Sequence, residues 1–121
     1  MLINISNLKP VKTIPHKKEL DYYLKLLTAG EYSKICDEIN NRIEGHEVNT
    51  SSWIPGNRWE GTPFEALTRV CKGDKNASGL LFGLICYKVF MDREDAWGFG
   101  RYKNGEISIK GMTYFKLQNV V

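Results

Sequence analysis

The chain has 121 residues, of which 17 are basic and 14 acidic, and 42% are apolar. This length is typical of one domain with one hydrophobic core, so we expect a single domain over residues 1–121, and the apolar content excludes a wholly disordered chain. The formal net charge of +3 is small and its charges are interspersed. This pattern argues against a protein that binds DNA or RNA polymers through a clustered basic face.

The cysteines and the apolar stretches indicate a cytoplasmic protein. Cys36, Cys71 and Cys86 form neither a C-x-x-C motif nor an even set, so we expect reduced thiols. The first residues lack the pattern of a signal peptide. The longest apolar stretch, residues 80–91, contains Lys88 and is shorter than the ~20 residues that a membrane helix needs. We therefore expect no contact with membranes.

Two helices are predicted in the first half of the chain. Apolar residues recur at helical spacing over residues 20–27 and again over residues 32–43. The short connection around Gly30 predicts that these helices pack as a helical hairpin. Charged residues, among them Lys25 and Arg42, occupy the other faces, where we expect them to be solvated.

Two further helices are predicted after residue 60. Thr62 and Glu65 form the pattern of a capping box at the start of a short helix over residues 63–71. Asn76 or Ser78 is expected to cap the next helix, which continues to the end of the longest apolar stretch. That helix is apolar on nearly all sides, which is typical of a buried central helix.

The predicted strands, together with the predicted helices, indicate the fold class. Period-two alternation over residues 2–8 predicts an amino-terminal strand. Residues 97–102 and 106–117 predict two strands joined across Asn104-Gly105, the preferred pair for a type I′ turn. The predicted fold is α+β, with three to four helices packed on a small antiparallel sheet that includes a C-terminal β-hairpin.

Few residues are suited to catalysis. His16 and His46 have no partner at metal-ligand spacing, so we expect no metal site, no cofactor and no catalytic residues. Residues 73–79 precede a helix and could hold a phosphate with backbone amides, but no Gly-Lys-Ser/Thr follows, and a plain capped turn is the alternative. One catalytic hypothesis remains open, a metal-dependent phosphodiesterase that uses Glu60 and His46.

Arginine and aromatic residues occur together in two irregular segments. The first segment contains Trp53, Asn57, Arg58 and Trp59 among turn formers, and the second contains Trp97, Phe99 and Arg101 on a glycine-rich strand. A guanidinium group binds phosphate with paired hydrogen bonds, and an aromatic face stacks on a base. Gly98 and Gly100 leave one face of the strand flat enough for a ligand. The pattern predicts a pocket for a small anionic nucleotide; the alternative is that the tryptophans complete the core and the arginines pair with Glu60 or Asp95.

Three stretches of the chain resemble a family of phage-encoded proteins. Residues 53–64, Phe82-Gly83-Leu84 and residues 97–102 are similar to the Tad-type anti-Thoeris proteins, which act as sponges for cyclic ADP-ribose signals. The resemblance implies a protein that is not an enzyme. Such a protein binds the signal of a TIR-domain defence protein, in the cytoplasm of an infected bacterial host cell, and keeps it from its effector. Some members also hold cyclic oligonucleotides in separate pockets.

The resemblance also implies particular contacts. Phe82 would stack on the ligand, although on this apolar helix its alternative role is in the core. Asp92, where the family has an asparagine, would contact a ribose or an adenine amine. Arg58 and Arg101 would neutralise phosphate.

The resemblance further implies a homo-oligomer, either a dimer or a trimer of dimers, with the ligand between protomers. Chain size supports the same expectation, because tight binding needs a nearly enclosed ligand and a chain of this length has little spare concavity. The alternative function is a phage-encoded interaction module that inhibits a host protein by direct binding through the same tryptophans.

Overall fold

A computed structural model describes residues 1–118, apart from the side chain of Asn104. Four helices pack against a five-stranded sheet within this range, so the predicted α+β class is confirmed. The elements in chain order are β1 (Leu2–Asn4), β2 (Lys9–Pro10), α1 (Lys17–Leu24), α2 (Ala29–Ile43), β3 (Val48–Thr50), α3 (Glu65–Val70), α4 (Lys75–Asp92), β4 (Trp97–Gly100), β5 (Lys103–Asn104), β6 (Ile107–Ser108) and β7 (Thr113–Lys116).

The five-stranded sheet is mixed, where the sequence predicts an antiparallel one. Its strand order is β2-β1-β4-β7-β3, and β1 and β4 run parallel while the other neighbours run antiparallel. Parallel strands need a long crossover, and here all four helices lie in the chain between β1 and β4. β1 is also shorter than predicted, because the Asn4 side chain accepts a hydrogen bond from the Ser6 amide and the chain turns there.

The C-terminal hairpin is formed by β4 and β7, which pair from Trp97 opposite Lys116 to Gly100 opposite Thr113. β5 and β6 form a smaller hairpin between them. Its turn is centred on Gly105 and the next residue, one position later than predicted. Gly105 has a φ of 69°, the positive value that the first central position of a type II′ turn requires.

Helix α4 is the centre of the fold. It contacts α1, α2 and α3, and its C-terminal half packs on the sheet. The Phe90 ring stacks on Tyr114 of β7 with 3.9 Å between ring centroids and 12° between planes, and its edge meets Trp97 of β4 at 4.9 Å. All three side chains are buried. None of the helices within residues 1–118 is long and apolar enough to cross a membrane.

Helix caps follow the predicted chemistry at partly different residues. Asp74, rather than Asn76 or Ser78, caps α4 by accepting a hydrogen bond from the Ala77 amide at 3.1 Å. α3 begins at Glu65, and the Glu65 carboxylate accepts from the Gly61 amide instead of from the amide of Thr62. The capping box predicted between Thr62 and Glu65 is therefore wrong, because neither side chain accepts from the amide that the motif requires.

Two aromatic rings of the chain itself cover the glycines of β4. A methyl group added at Gly98 would overlap the ring of Phe115, and one added at Gly100 would lie 2.9 Å from the Tyr102 hydroxyl oxygen. The prediction of a free flat surface on β4 is therefore wrong for this chain. Close packing favours glycine most strongly at Gly98, where a Cβ would overlap the Phe115 ring.

Arg93, the first residue after α4, connects three elements. Its guanidinium group donates to both carboxylate oxygens of Asp95, at 2.8 and 3.0 Å, and to the Asn40 side-chain oxygen at 2.7 Å. The same group lies 5.9 Å from the ring centroid of Trp97. These contacts join the end of α4 to α2 and to the start of β4.

We predict opposite effects of adding one methyl group at two glycines. Gly98→Ala should lower the free energy of unfolding by about 1–3 kcal/mol, because the Phe115 ring must move. Gly83→Ala is the matched control, since a Cβ there meets no other atom within 4 Å, and it should raise the free energy of unfolding by up to about 1 kcal/mol. Urea denaturation of both variants measures the difference; equal effects would contradict the packing of Phe115 on Gly98.

The ion pair of Arg93 predicts a dependence of stability on acid. The Arg93 guanidinium lowers the pKa of Asp95 from 3.8 to about 2. A carboxylate with a lowered pKa in the folded protein stabilises it above pH 3.8, and this contribution is lost as the pH falls toward 2. The Asp95→Asn protein should therefore have a lower free energy of unfolding than the wild type at neutral pH. Between pH 3.8 and 2 its free energy of unfolding should fall less than that of the wild type. Denaturant midpoints measured across the range test this, and parallel pH curves would contradict it.

Candidate functional site

A cavity of about 660 Å³ opens between α4 and the segment that precedes α3. Its walls include Asn57, Arg58, Trp59 and Glu60 on one side, and Lys75 and Ser78 on the first turns of α4 on the other. We call residues 53–61 the site segment. Three of the predicted binding residues, Asn57, Arg58 and Trp59, are therefore in one cavity.

The site segment is an irregular loop whose bends depend on two glycines. Gly56 and Gly61 have φ values of 70° and 73°, in the left-handed region that favours glycine. The Trp59 indole nitrogen donates to the Gly56 carbonyl oxygen at 3.3 Å, and the Thr62 hydroxyl donates to the Trp59 carbonyl oxygen at 2.7 Å. The turn formers between Ser51 and Pro63 therefore fold into a loop that presents Arg58 and Trp59 to the cavity.

The cavity carries charges of both signs. Arg58 and Lys75 are exposed cations, and Lys75 lies at the amino end of the 18-residue α4, where the helix dipole is positive. Glu60 and Glu65 line the same cavity, and carboxylates accept hydrogen bonds from hydroxyl and amino groups. The arrangement suits a ligand with an anionic part and several hydroxyl or amino donors.

Phe82 lies behind Trp59 and belongs to the hydrophobic core. Its side chain is only 2% exposed, and its ring centroid lies 5.9 Å from that of Trp59 and 5.2 Å from that of Phe64. A ligand that enters the cavity therefore meets Trp59 first. Because Trp59 is partly exposed, Trp59 and not Phe82 offers the accessible aromatic surface.

The other predicted binding residues lie toward the opposite end of α4. Trp97 is buried against Phe90, Phe99 meets Tyr87 edge-on at 5.6 Å, and the Asp92 carboxylate accepts from Lys88 at 2.8 Å. Ten residues separate Phe82 from Asp92, which corresponds to about 15 Å along a helix axis. One chain therefore does not gather Asp92, Trp97, Phe99 and Arg101 around the cavity that Arg58 lines.

Arg58 and Arg101, the arginines of the two arginine–aromatic segments, are not used in ion pairs within residues 1–118. Within residues 1–118, neither Arg58 nor Arg101 forms a salt bridge, and Asp95 is paired with Arg93 and Lys116 instead. The alternative in which Arg58 pairs with Glu60 and Arg101 with Asp95 is therefore wrong for the folded chain. Both guanidinium groups are exposed to solvent.

Lys75 and Glu65 were not predicted as site residues. Lys75 follows Asp74, in the loop whose amides were considered for phosphate binding, so a signal for it was present in the sequence. The sequence predicts a helix-capping role for Glu65, but its carboxylate accepts from the Gly61 amide in the preceding loop, and Glu65 lines the cavity. Lys75 reaches the cavity because α4 begins at Lys75, one residue before the first of the two expected caps.

The cysteine thiols and His46 lie outside the lining of the cavity. Burial raises the pKa of the Cys71 and Cys86 thiols, which disfavours the reactive thiolate. His46, which the phosphodiesterase hypothesis pairs with Glu60, does not line the cavity. Over the described part of the chain, no three His, Cys, Asp or Glu side chains are grouped closely enough to hold a metal ion.

Comparisons with known proteins found no relative of the chain. A scan against protein-family models, a search of curated proteins and a search of solved structures each returned no match. Function is therefore inferred from the cavity and from the sequence resemblance.

We predict that Phe82 and Arg58 differ sharply in their effect on stability. Phe82→Ala should lower the free energy of unfolding by about 3–5 kcal/mol, because it removes a buried ring from the Trp59 and Phe64 cluster. Arg58→Ala should change it by no more than about 0.5 kcal/mol, since Arg58 is exposed. Urea denaturation tests both, and Phe82→Leu, which keeps more volume, should lose less than the alanine variant. A Phe82→Ala protein as stable as the wild type would contradict the core position.

Proposed function

We propose that the protein is a non-enzymatic binding protein that sequesters a cyclic ADP-ribose-type nucleotide. The observation that carries this proposal is the cavity in which Arg58 and Lys75 lie beside the accessible ring of Trp59. Two cations suit the two phosphates of such a ligand, and the indole suits its base. Glu60 and Glu65 would accept hydrogen bonds from ribose hydroxyls or from the adenine amine.

The biological part of the proposal is viral evasion of bacterial immunity. It is supported by the resemblance of residues 53–64, 82–84 and 97–102 to anti-Thoeris sponges. The protein would act in the cytoplasm of an infected bacterial cell and would remove the signal of a TIR-domain defence protein. Cyclic oligonucleotides are a second ligand class to test, since some members of that family hold them in separate pockets.

The proposal includes a homo-oligomer with a ligand site shared between protomers. Arg58 is exposed on the open side of the cavity, whereas tight binding of a small ligand needs near-complete enclosure. Phe99 and Arg101 lie at the other half of α4, so they would reach the ligand of a second protomer rather than that of their own chain. A shared pocket of this kind would use both arginine–aromatic segments.

A second candidate function is a module that inhibits a host protein by direct binding. The observation that favours it is Trp53, whose side chain is 65% exposed at the start of the site segment. Exposed tryptophans are frequent anchors of protein interfaces. In that case the protein would not bind nucleotides, and truncation of Arg58 would have no nucleotide affinity to reduce.

We predict that calorimetry will detect binding of at least one cyclic ADP-ribose isomer and that Arg58→Ala will weaken it by about tenfold or more, because a hydrogen-bonded charge pair is lost. Lys110→Ala is the matched control. It removes an exposed cation that does not line the cavity and should leave the affinity unchanged. Cyclic dinucleotides and trinucleotides complete the ligand panel.

The same samples test whether the protein is an enzyme. After incubation and denaturation, chromatography should recover the ligand intact, because sequestration breaks no bond. Recovery of linear ADP-ribose would show hydrolysis and would overturn the non-enzymatic proposal. Absence of binding across the panel would overturn the nucleotide proposal and would favour the interaction module.

A further inference from the structure

Arg42, in the last turn of α2, makes two contacts outside its own helix and lies close to Gly56. Its Nη1 donates to the carbonyl oxygen of Ile54 at 3.0 Å. Its guanidinium carbon lies 5.0 Å from the ring centroid of Phe64, and Nη1 lies 3.7 Å from the position that a Cβ would take at Gly56. The sequence predicts a solvated Arg42, and this expectation is wrong because the side chain is only 31% exposed.

These contacts are all with the chain that surrounds the cavity residues. Ile54 and Gly56 lie in the site segment, immediately before Asn57 and Arg58, and Phe64 lies just after its end. Phe64 is also in contact with Trp59, at 6.1 Å between ring centroids. Arg42 therefore contacts the chain before and after residues 57–60, which line the cavity.

We propose that Arg42 is a positioning residue that holds the site segment against α2, so that Arg58 and Trp59 face the cavity. Arg42 itself does not line the cavity. Its effect on a ligand is therefore indirect, through the backbone at Ile54 and Gly56 and through the ring of Phe64. Only the ligand readout of this inference rests on the proposed function, since the attachment of the segment is a property of the free protein.

The chemistry of these contacts requires an arginine. A planar guanidinium group donates to a carbonyl oxygen in its own plane while its face lies on an aromatic ring. Its Nε remains available for Glu38, which accepts at 3.0 Å and fixes the orientation of the group. A lysine at the same position keeps the charge but has one compact ammonium group, which cannot make this set of contacts together.

A simpler role for Arg42 is a surface ion pair with Glu38 that supports α2 alone. Such a pair at i, i+4 spacing contributes only about 0.3–0.5 kcal/mol, and its loss would not change the mobility of a distant loop. Arg69 offers a matched comparison, because its ion pair with Glu31 joins α2 to α3 without contacting the site segment. The two arginines can therefore be compared by the same substitution.

Hydrogen exchange on the ligand-free protein tests the attachment. Between Gly56 and Thr62, three amides are hydrogen-bonded to nearby oxygen atoms: those of Gly56, Gly61 and Thr62. In Arg42→Lys their exchange should accelerate by about tenfold, which corresponds to about 1.4 kcal/mol of local opening free energy. Amides in the middle of α2 and α4 should keep their wild-type rates. Arg69→Lys and Glu38→Gln should leave the three site amides at their wild-type rates.

Calorimetry with cyclic ADP-ribose isomers then tests the consequence for binding. Arg42→Lys should weaken binding by about tenfold while the dependence of Kd on salt stays as in the wild type, because no charge in the cavity is lost. Arg58→Ala should weaken binding and also reduce the salt dependence. Unchanged exchange at the three site amides in Arg42→Lys would overturn the positioning role, whether or not a ligand binds. Faster exchange without binding of any isomer would support that role and overturn only the proposed function.

Discussion

The stack of Phe90 on Tyr114 joins the central helix to strand β7 of the sheet, and the rest of the molecule is arranged around this contact. With 3.9 Å between ring centroids and no solvent exposure on either ring, it fixes the C-terminal half of α4 against β7. Trp97 packs on the edge of Phe90, and Arg93 connects the end of α4 to α2 and β4. Lys75, fifteen residues before Phe90 and so about 22 Å from it along the helix axis, forms part of the cavity wall at the amino end of α4.

The position of α4 separates the two arginine–aromatic segments. The segment with Arg58 and Trp59 lies at the amino end of the helix, and the strand with Phe99 and Arg101 lies near its other end. Trp59 covers Phe82 and Phe64, so one aromatic cluster serves both as part of the core and as the floor behind a cavity. Of the eight predicted binding residues, only Asn57, Arg58 and Trp59 therefore line the cavity of one chain.

Much of the candidate site was predictable because its chemistry is local. Asn57, Arg58 and Trp59 are adjacent in sequence, so a loop that exposes one of them brings the others close. Phe82 and Trp97 have aromatic rings suited to stacking, but their burial depends on partners far away in the chain, namely Trp59 for Phe82 and Phe90 for Trp97. Arg42 is the opposite case, a residue predicted to be solvated that contacts another part of the chain. Its local sequence, one arginine among other charged residues of a helix, is the same whether the side chain is solvated or holds a loop.

The four helices and the α+β class follow from hydrophobic periodicity, which acts over a few neighbouring residues. The cap of α4 and the turn of the small hairpin differ from their predicted positions by one to a few residues. Tertiary packing sets the parallel pairing of β1 with β4, the position of the Phe115 ring over Gly98, and the contacts of Arg42. Each of these joins residues that are distant in the chain, and which of many compatible partners they meet depends on how all the elements pack together.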